Sequence, residues 1–350
     1  LIDVMSRRAE GYVYTRFDNP TLRSVERKMA ELEEGEDAAV FSSGMAAITG
    51  VVLTAVSSGD HIVSSRDLYG GTLKLFTDIL PRFGIDVSLV EATDSSEVES
   101  AIKQNTRLIY AETLTNPTLR YLDVSEVARL GKEKGITVAV DNTFASPYNL
   151  RPIRFGVDVV IHSATKYLGG HNDLTAGIVV GSAGFTQKLK EMRKHLGGTL
   201  DPIAGWLLLR GLKTLGLRME RHNSSGMQVA EYLEKHPKVK KVYYPGLLNH
   251  PDHSIAVQQM KGFGGVVSFE IDGDFEKTMK FVESLELCLL APSLGGTETL
   301  ATQPVTSSHY FVDEESRMRA GITNQLVRLA LGIEDPQDII SDLGQAFDKI

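Results

Sequence analysis

The sequence predicts an α/β fold, with a mostly parallel sheet in a large domain and a smaller α/β domain after it. From residue 38 to residue 141, short β-branched and apolar runs alternate with segments of helical period, the pattern of a parallel sheet covered on both faces by helices. A second series of strand and helix patterns begins near residue 208. The chain has 350 residues, 42% hydrophobic and 23% charged, which suits a folded protein with one large core and a smaller one.

Taken in order, residues 1–20 lack a clear period and read as an N-terminal arm that includes Tyr14 and Arg16. Leu22, Val25, Met29 and Leu32 have the spacing of a surface helix. A strand over 38–41 leads through Ser42 and Ser43 into an apolar helix. Its first residues, Gly44 and Met45, present free N–H groups, so they are the candidate anion cup. Strands over 61–65, 86–90, 107–111 and 136–140 alternate with helices over 71–80, 95–104 and 125–134. In such a sheet, function gathers at the carboxyl ends of the strands. Tyr69, Asn116, Asp141, Ser163, Thr165 and Lys166 all follow strands. The first domain is expected over 21–207 and the second over 208–350, joined by a long helical region over 197–217 without a Pro/Gly/Ser linker. Helices over 225–235, 253–260, 275–284 and 337–346 and strands over 239–243, 266–271, 287–290 and 325–329 are expected in the second.

Two buried-strand patterns, 157–161 and 177–180, flank a turn centred on Lys166. A lysine at a buried strand end loses hydration, and its pKa falls, as condensation with an aldehyde requires. Taken alone, such a turn more often holds an ordinary solvated lysine. Asp141, at the end of the preceding strand, adds a carboxylate at the same sheet edge. A carboxylate there can keep a pyridine nitrogen protonated, and pyridoxal 5'-phosphate is the aldehyde that needs both residues. Arg328 lies inside the apolar run Leu326-Val-Arg-Leu-Ala330. A buried guanidinium requires an anion, either an ion-pair partner within the chain or a substrate carboxylate.

The runs Tyr14-Thr-Arg-Phe-Asp-Asn-Pro-Thr21, Phe41-Ser-Ser-Gly-Met-Ala-Ala47, Tyr69-Gly-Gly-Thr72, Asn116-Pro117, Asp141-Asn-Thr-Phe144, Ser163-Ala-Thr-Lys166 and Gly170-His-Asn-Asp173 resemble the pyridoxal-phosphate enzymes of cysteine and methionine metabolism. Arg210-Gly-Leu-Lys-Thr-Leu215, Tyr244-Pro-Gly-Leu247, Ser293-Leu-Gly-Gly296 and Val327-Arg-Leu-Ala-Leu-Gly332 continue the likeness in order, so it spans essentially the whole chain. The resemblance implies fold type I, with Lys166 as the cofactor lysine and proton carrier and Asp141 beneath the ring nitrogen. It implies that Tyr69 stacks on the ring and exchanges protons. Gly44, Met45, Ser163 and Thr165 would hold the cofactor. Tyr14 and Arg16 would reach the phosphate of a neighbouring subunit, which makes a dimer with shared sites the expected active unit and a tetramer of two such dimers the expected assembly. Arg328, with Asn116 and Ser293, would hold the substrate carboxylate. Members of the family carry a longer segment before the Tyr-x-Arg run, so the arm is expected to be incomplete.

The net charge of −8 argues against a nucleic-acid or anionic-membrane surface. No run of 18 apolar residues and no secretory pattern occurs. With Cys288 as the single cysteine, a cytoplasmic chain without disulfides is expected. Ser163-x-x-Lys166 also matches a β-lactamase motif, but Ser-Asp-Asn and Lys-Thr-Gly do not accompany it. Neither Gly-x-Gly-x-x-Gly nor a Walker A run occurs, and His250 and His253 lack further zinc ligands, so no metal site is expected. A regulator that has kept the fold without catalysis is the alternative from another class.

The reaction implied is γ-elimination or γ-replacement on a sulfur amino acid. Family members acting on cystathionine tend to carry acidic residues just before Tyr-x-Arg and Ser-Leu-Gly, where this chain has Val13 and Pro292. That points to a methionine γ-lyase-like reaction, with cystathionine γ-lyase, cystathionine γ-synthase and O-acylhomoserine sulfhydrylase as alternatives. Two residues pull the other way. Methionine γ-lyases usually have cysteine where this chain has Gly71, and Lys74 stands where cystathionine enzymes are often basic.

Overall fold

The structure, a computed structural model, describes residues 2–5, 8, 9, 11–307, 310 and 314–350. Residues 1, 6, 7 and 10 of the expected arm lie outside the described residues. A seven-stranded sheet is formed by β1 (Asp37–Phe41), β2 (His61–Ser65), β3 (Asp86–Val90), β4 (Thr106–Glu112), β5 (Thr137–Asp141), β6 (Val159–Ser163) and β7 (Gly177–Gly181), in the order β1-β7-β6-β5-β4-β2-β3. β3, β2, β4, β5 and β6 run parallel, whereas β7 is antiparallel to both β1 and β6. The segment from 164 to 176 makes turns without a helix. With no helix to carry the chain back across the sheet, it returns antiparallel, and Lys166 rides on that turn.

Because side chains alternate across a strand, one face carries Val63, Ile109, Val138, Val140 and Val160, and the other carries Ile62, Leu108, Ala139, Val159 and Ile161. Both faces are buried, which is why these strands read as continuous apolar runs. The helix Val124–Lys134 covers the first face through Val127, Ala128 and Leu130, and the helix Gly44–Ala55 covers the second through Ala47, Ile48, Val51 and Val52.

A five-stranded sheet follows: β8 (Val239–Tyr243), β9 (Val266–Ile271), β10 (Leu289–Leu290), β11 (Leu300–Thr302) and β12 (Leu326–Ala330), in the order β10-β11-β12-β9-β8. It is antiparallel except between β10 and β11. Val229 and Leu233 of the helix Leu215–Lys235, Phe281 of Phe275–Glu283 and Phe347 of Pro336–Asp348 pack with Phe269 beneath it. The two sheets are joined by a cluster that includes Leu22, Met29, Leu208, Leu212, Met219, Val266, Leu294 and Ala330.

Several elements differ from their sequence patterns. The region over 197–217 is two helices, Pro202–Leu212 and Leu215–Lys235, and the second absorbs the helix expected at 225. The 207/208 boundary falls inside Pro202–Leu212. The helix Pro20–Glu33 does more than cover a surface. It buries Glu26 against Arg193 at 3.1 Å and Glu33 against His162 at 2.5 Å. The segment 71–80 divides into an α-helix Gly70–Lys74 and a π-helix Leu75–Ile79. Only Leu289 and Leu290 of the expected strand 287–290 pair, and both are exposed; Cys288 alone turns inward, where its N–H donates to Asp342 at 2.9 Å.

Candidate active site

The carboxyl ends of β2, β4, β5 and β6 with the loops that follow them, the start of Gly44–Ala55, the loop after β10 and the middle of β12 surround a cavity of about 410 Å³. Gly44, Met45, Tyr69, Asn116, Asp141, Ser163, Thr165, Lys166, Ser293 and Arg328 all line it. Two expected residues do not. Tyr14 is exposed, and Arg16 donates to the Lys194 carbonyl while packing beside the Tyr14 and Phe17 rings, outside the cavity.

Lys166 is held from both sheets. The Tyr167 carbonyl accepts from Arg218 Nη1 at 2.6 Å, and the Tyr167 hydroxyl accepts from Gly265 N at 3.1 Å. Gly170, at φ +74°, leaves the space that the Arg218 guanidinium occupies; a Cβ there would lie 2.1 Å from Nη1. Lys166 Nζ donates to Ser293 Oγ at 2.8 Å. Burial, reinforced by Arg328, brings its pKa down to about 8, so about a tenth of the amine is uncharged at pH 7, far more than for a solvated lysine. Ser293 has φ +106°, a region that L-residues rarely adopt.

Asp141 ends β5. One carboxylate oxygen accepts from Thr143 N at 2.9 Å. Burial raises its pKa, while Thr143 and the charge of His162 oppose the rise. Thr143 Oγ1 also accepts from Ser163 N at 2.7 Å, tying β6 to the same turn. Tyr69 follows β2 by way of a short loop, and its N–H donates to Glu112 Oε1 at 2.7 Å. A Cβ on Gly71 would lie 2.7 Å from the Tyr69 ring and 3.2 Å from Met45 Sδ. That glycine therefore lets the aromatic ring lie against the cavity wall.

Gly44 and Met45 open the helix Gly44–Ala55, with Ser43 as N-cap accepting from Ala46 N at 3.1 Å. Their N–H groups have no acceptor within the helix. A Cβ on Gly44 would meet Ser163 at 3.0–3.2 Å, so glycine is what permits the cup to close on Ser163. On the far wall, Arg328 Nη1 donates to Asn116 Oδ1 at 3.0 Å and Nη2 to the Ser293 carbonyl at 2.8 Å. Its Nε is buried without a hydrogen-bond partner. Both acceptors are neutral, and burial lowers the guanidinium pKa to about 10. The side chain is thus a buried cation with room for an anion.

These residues fit pyridoxal 5'-phosphate. A helix N-terminus with glycine suits the phosphate, an amine of lowered pKa suits the aldehyde, a carboxylate suits the ring nitrogen and an aromatic ring suits the pyridine face. Among the described residues no group of three or more His, Cys, Asp and Glu side chains is arranged to hold a metal ion. The sequence reading passed over Glu112, Thr143 and Ser43. Glu112 ends β4 and was open to the same strand-end rule that located Asp141. Ser43 was open to the N-cap rule for a serine just before an apolar helix, whereas the Thr143 hydroxyl meets a strand far along the chain and leaves no local sequence signal.

The family model for Cys/Met-metabolism PLP-dependent enzymes matches residues 2–348. L-methionine gamma-lyase of Fusobacterium nucleatum subsp. polymorphum is 45% identical over 97% of this chain and 87% of its own length. Cystathionine gamma-lyase of Bacillus subtilis (strain 168) is 46% identical over 97% and 89%. Cystathionine gamma-synthase 1, chloroplastic, of Arabidopsis thaliana is 44% identical over 100% of this chain, which spans 62% of that protein's length. The crystal structure of cystathionine gamma-lyase from Lactobacillus plantarum complexed with L-serine superposes with a TM-score of 0.94 at 41% identity, covering 97% of this chain and 89% of that one. Relatives of nearly equal similarity carry different activities, so likeness alone does not select the reaction. What it does establish agrees with the cavity's chemistry: the chain belongs to the Cys/Met-metabolism family of pyridoxal-phosphate-dependent enzymes.

Proposed function

We propose that the protein catalyses γ-elimination on a sulfur amino acid with a small, uncharged γ-substituent, in the manner of a methionine γ-lyase. Methionine and water would give methanethiol, 2-oxobutanoate and ammonia. The observation that carries this reading is the cavity lining: Glu112 and Asp141 are its only carboxylates among the described residues, and both sit at strand ends committed to Tyr69 and Thr143. Pro292 stands beside Ser293 with Leu114, Ile48 and Phe144 in the same lining, so a distal ammonium such as that of cystathionine finds no free acid. An ammonium left unpaired costs ~2–5 kcal/mol, about 30-fold to several-thousand-fold in selectivity.

Arg328 orients the substrate by forking its α-carboxylate, with Asn116 and Ser293 fixing the guanidinium plane. Bound pyridoxal phosphate supplies an aldehyde that condenses with amines and a protonated ring that takes up the electron pair left at Cα. Asp141 keeps the proton on the ring nitrogen. Lys166 Nζ, in its uncharged form, would take the Cα proton, pass it to the cofactor carbon that carried the aldehyde and, uncharged again, take a Cβ proton from the same face. The Tyr69 hydroxyl gives a proton to the departing sulfur, and its ring covers the cofactor. Gly44, Met45, Ser163 and Thr165 retain the phosphate end. γ-Replacement by an added thiol is the transferase counterpart of the same steps.

The active unit we propose is a dimer, with Tyr14 and Arg16 serving the neighbour's phosphate; neither lines the cavity of its own chain, Tyr14 being exposed and Arg16 bonded to the Lys194 carbonyl. Cys288 is buried as a free thiol, and no helix among the described residues is long and apolar enough to cross a membrane. Both observations support a cytoplasmic enzyme. The test is kcat/KM for L-methionine, L-homocysteine, L-cystathionine and O-acetylhomoserine, each with and without added thiol. Preference for methionine or homocysteine is expected; preference for cystathionine overturns the reading. A purified protein that stays colourless after reconstitution would favour a non-catalytic regulator.

A further inference from the structure

Glu112 has a place in the cavity that its neighbours' roles leave unexplained. It lies directly opposite Asp141 in the parallel ladder of β4 and β5, so both carboxyl groups leave adjacent strand ends on one face. It is 8% exposed, and no ion pair to it occurs among the described residues. Its carboxyl accepts from Tyr69 N at 2.7 Å. Tyr69 begins the helix Gly70–Lys74 without a side-chain cap, and its ring lies against Gly71. A small rotation of the loop would therefore move the ring off the cavity.

We propose that Glu112 is a positioning residue that acts as a neutral carboxylic acid, anchoring the Tyr69 loop through the Tyr69 N–H while leaving Asp141 the one negative charge beneath the cofactor ring. The proposal rests on the reading of Asp141 and Tyr69 as the residues that hold that ring. Two buried carboxylates on adjacent strands do not both ionise, since each carries the desolvation cost and the repulsion of the other. Asp141 has its Thr143 bond and the charge of His162 on its side. Glu112 faces Asp141 from β5, Asp67 from the loop after β2 and Tyr110 from its own strand, all acidic groups. Glu91, Arg66 and Arg120 surround Asp67, and the cations Lys166 and Arg328 stand in the same cavity lining. Burial first, and Asp141 second, push the Glu112 pKa well above the usual carboxylate value, against the opposing bond from Tyr69 N. The proton shared by the pair thus resides on Glu112. Asp141 keeps the charge that a protonated ring nitrogen requires.

The test compares Glu112→Gln, Glu112→Ala, Asp141→Asn and Tyr69→Phe as holoenzymes. The readouts are the cofactor dissociation constant, the visible cofactor band, kcat/KM and the infrared difference spectrum of wild type against Glu112→Gln. Gln keeps a neutral acceptor, so cofactor affinity should stay within about threefold of wild type, whereas Ala, which removes the anchor, should weaken it by about tenfold or more. The infrared difference should contain the carbonyl band of a neutral acid in the wild type. A Gln variant as impaired as Ala, an Ala variant that matches wild type, or an infrared difference showing only ionised carboxylate each overturns the proposal. If Ala fails to fold, Gln and the infrared band decide alone. Should Asp141→Asn and Tyr69→Phe both leave affinity and turnover unchanged, the underlying reading of the site fails; where they are impaired, the other outcomes speak of Glu112 only.

Discussion

Lys166 shows how one residue's environment sets its chemistry. Burial and Arg328 take its pKa to about 8 from the usual lysine range, a shift that favours the uncharged amine. The rate at which cofactor-free protein captures pyridoxal phosphate should therefore rise about tenfold per pH unit below 8 and level off above it. A rate still climbing steeply past pH 10 would mean that the amine is not perturbed. Lys166→Ala should lower turnover by several orders of magnitude with its circular dichroism unchanged, because no other amine lines the cavity among the described residues. Turnover near wild type would remove the residue from the mechanism. Asp141→Asn should retain the cofactor and lose most of its activity, since the amide cannot hold a charged ring nitrogen; stopped-flow turnover equal to wild type would refute that role.

The helix Pro20–Glu33 illustrates what an amphipathic pattern conceals. Its apolar stripe was legible from Leu22, Val25 and Met29, but Glu26 and Glu33 are also buried, each meeting a partner far along the chain. Pairings between residues so distant in sequence leave no local trace, and so they escaped a reading based on periodicity. Arg193→Met should cost about 3–5 kcal/mol in a urea titration, because Glu26 would lose its buried cation. Arg23 Nη1 and Lys190 Nζ, each at 3.1 Å from Glu26, would remain as partial compensation, and a loss under 1 kcal/mol would show that they suffice. The parallel strands, by contrast, were plain in the sequence, since burial on both faces demands uninterrupted Val, Ile and Ala. The cavity residues were legible because strand ends are where a parallel sheet places function. The short β11 was obscure: it has three residues, too few for any period to register. The division of residues 197–235 into two helices was likewise hidden, because Leu212 and Leu215 continue the apolar stripe through the break.

At the scale of the whole molecule, every proposed site residue lines the cavity except Tyr14 and Arg16, which lie outside its lining. If those two serve a neighbour, mixing inactive Lys166→Ala protein with inactive Arg16→Ala protein should recover part of the activity once subunits exchange. Exchange demonstrated by mass spectrometry without recovery would count against a shared site. Within one protomer, the seven-stranded sheet supplies Lys166 and the five-stranded sheet supplies Arg328, and a single serine touches both. Ser293 accepts from Lys166 Nζ with its hydroxyl and from Arg328 Nη2 with its carbonyl. It works as a calliper whose two jaws are the side chain and the backbone of one residue. A tilt of one sheet against the other would change how widely the cavity opens, while the spacing between the Lys166 amine and the Arg328 guanidinium would stay gauged by that one residue.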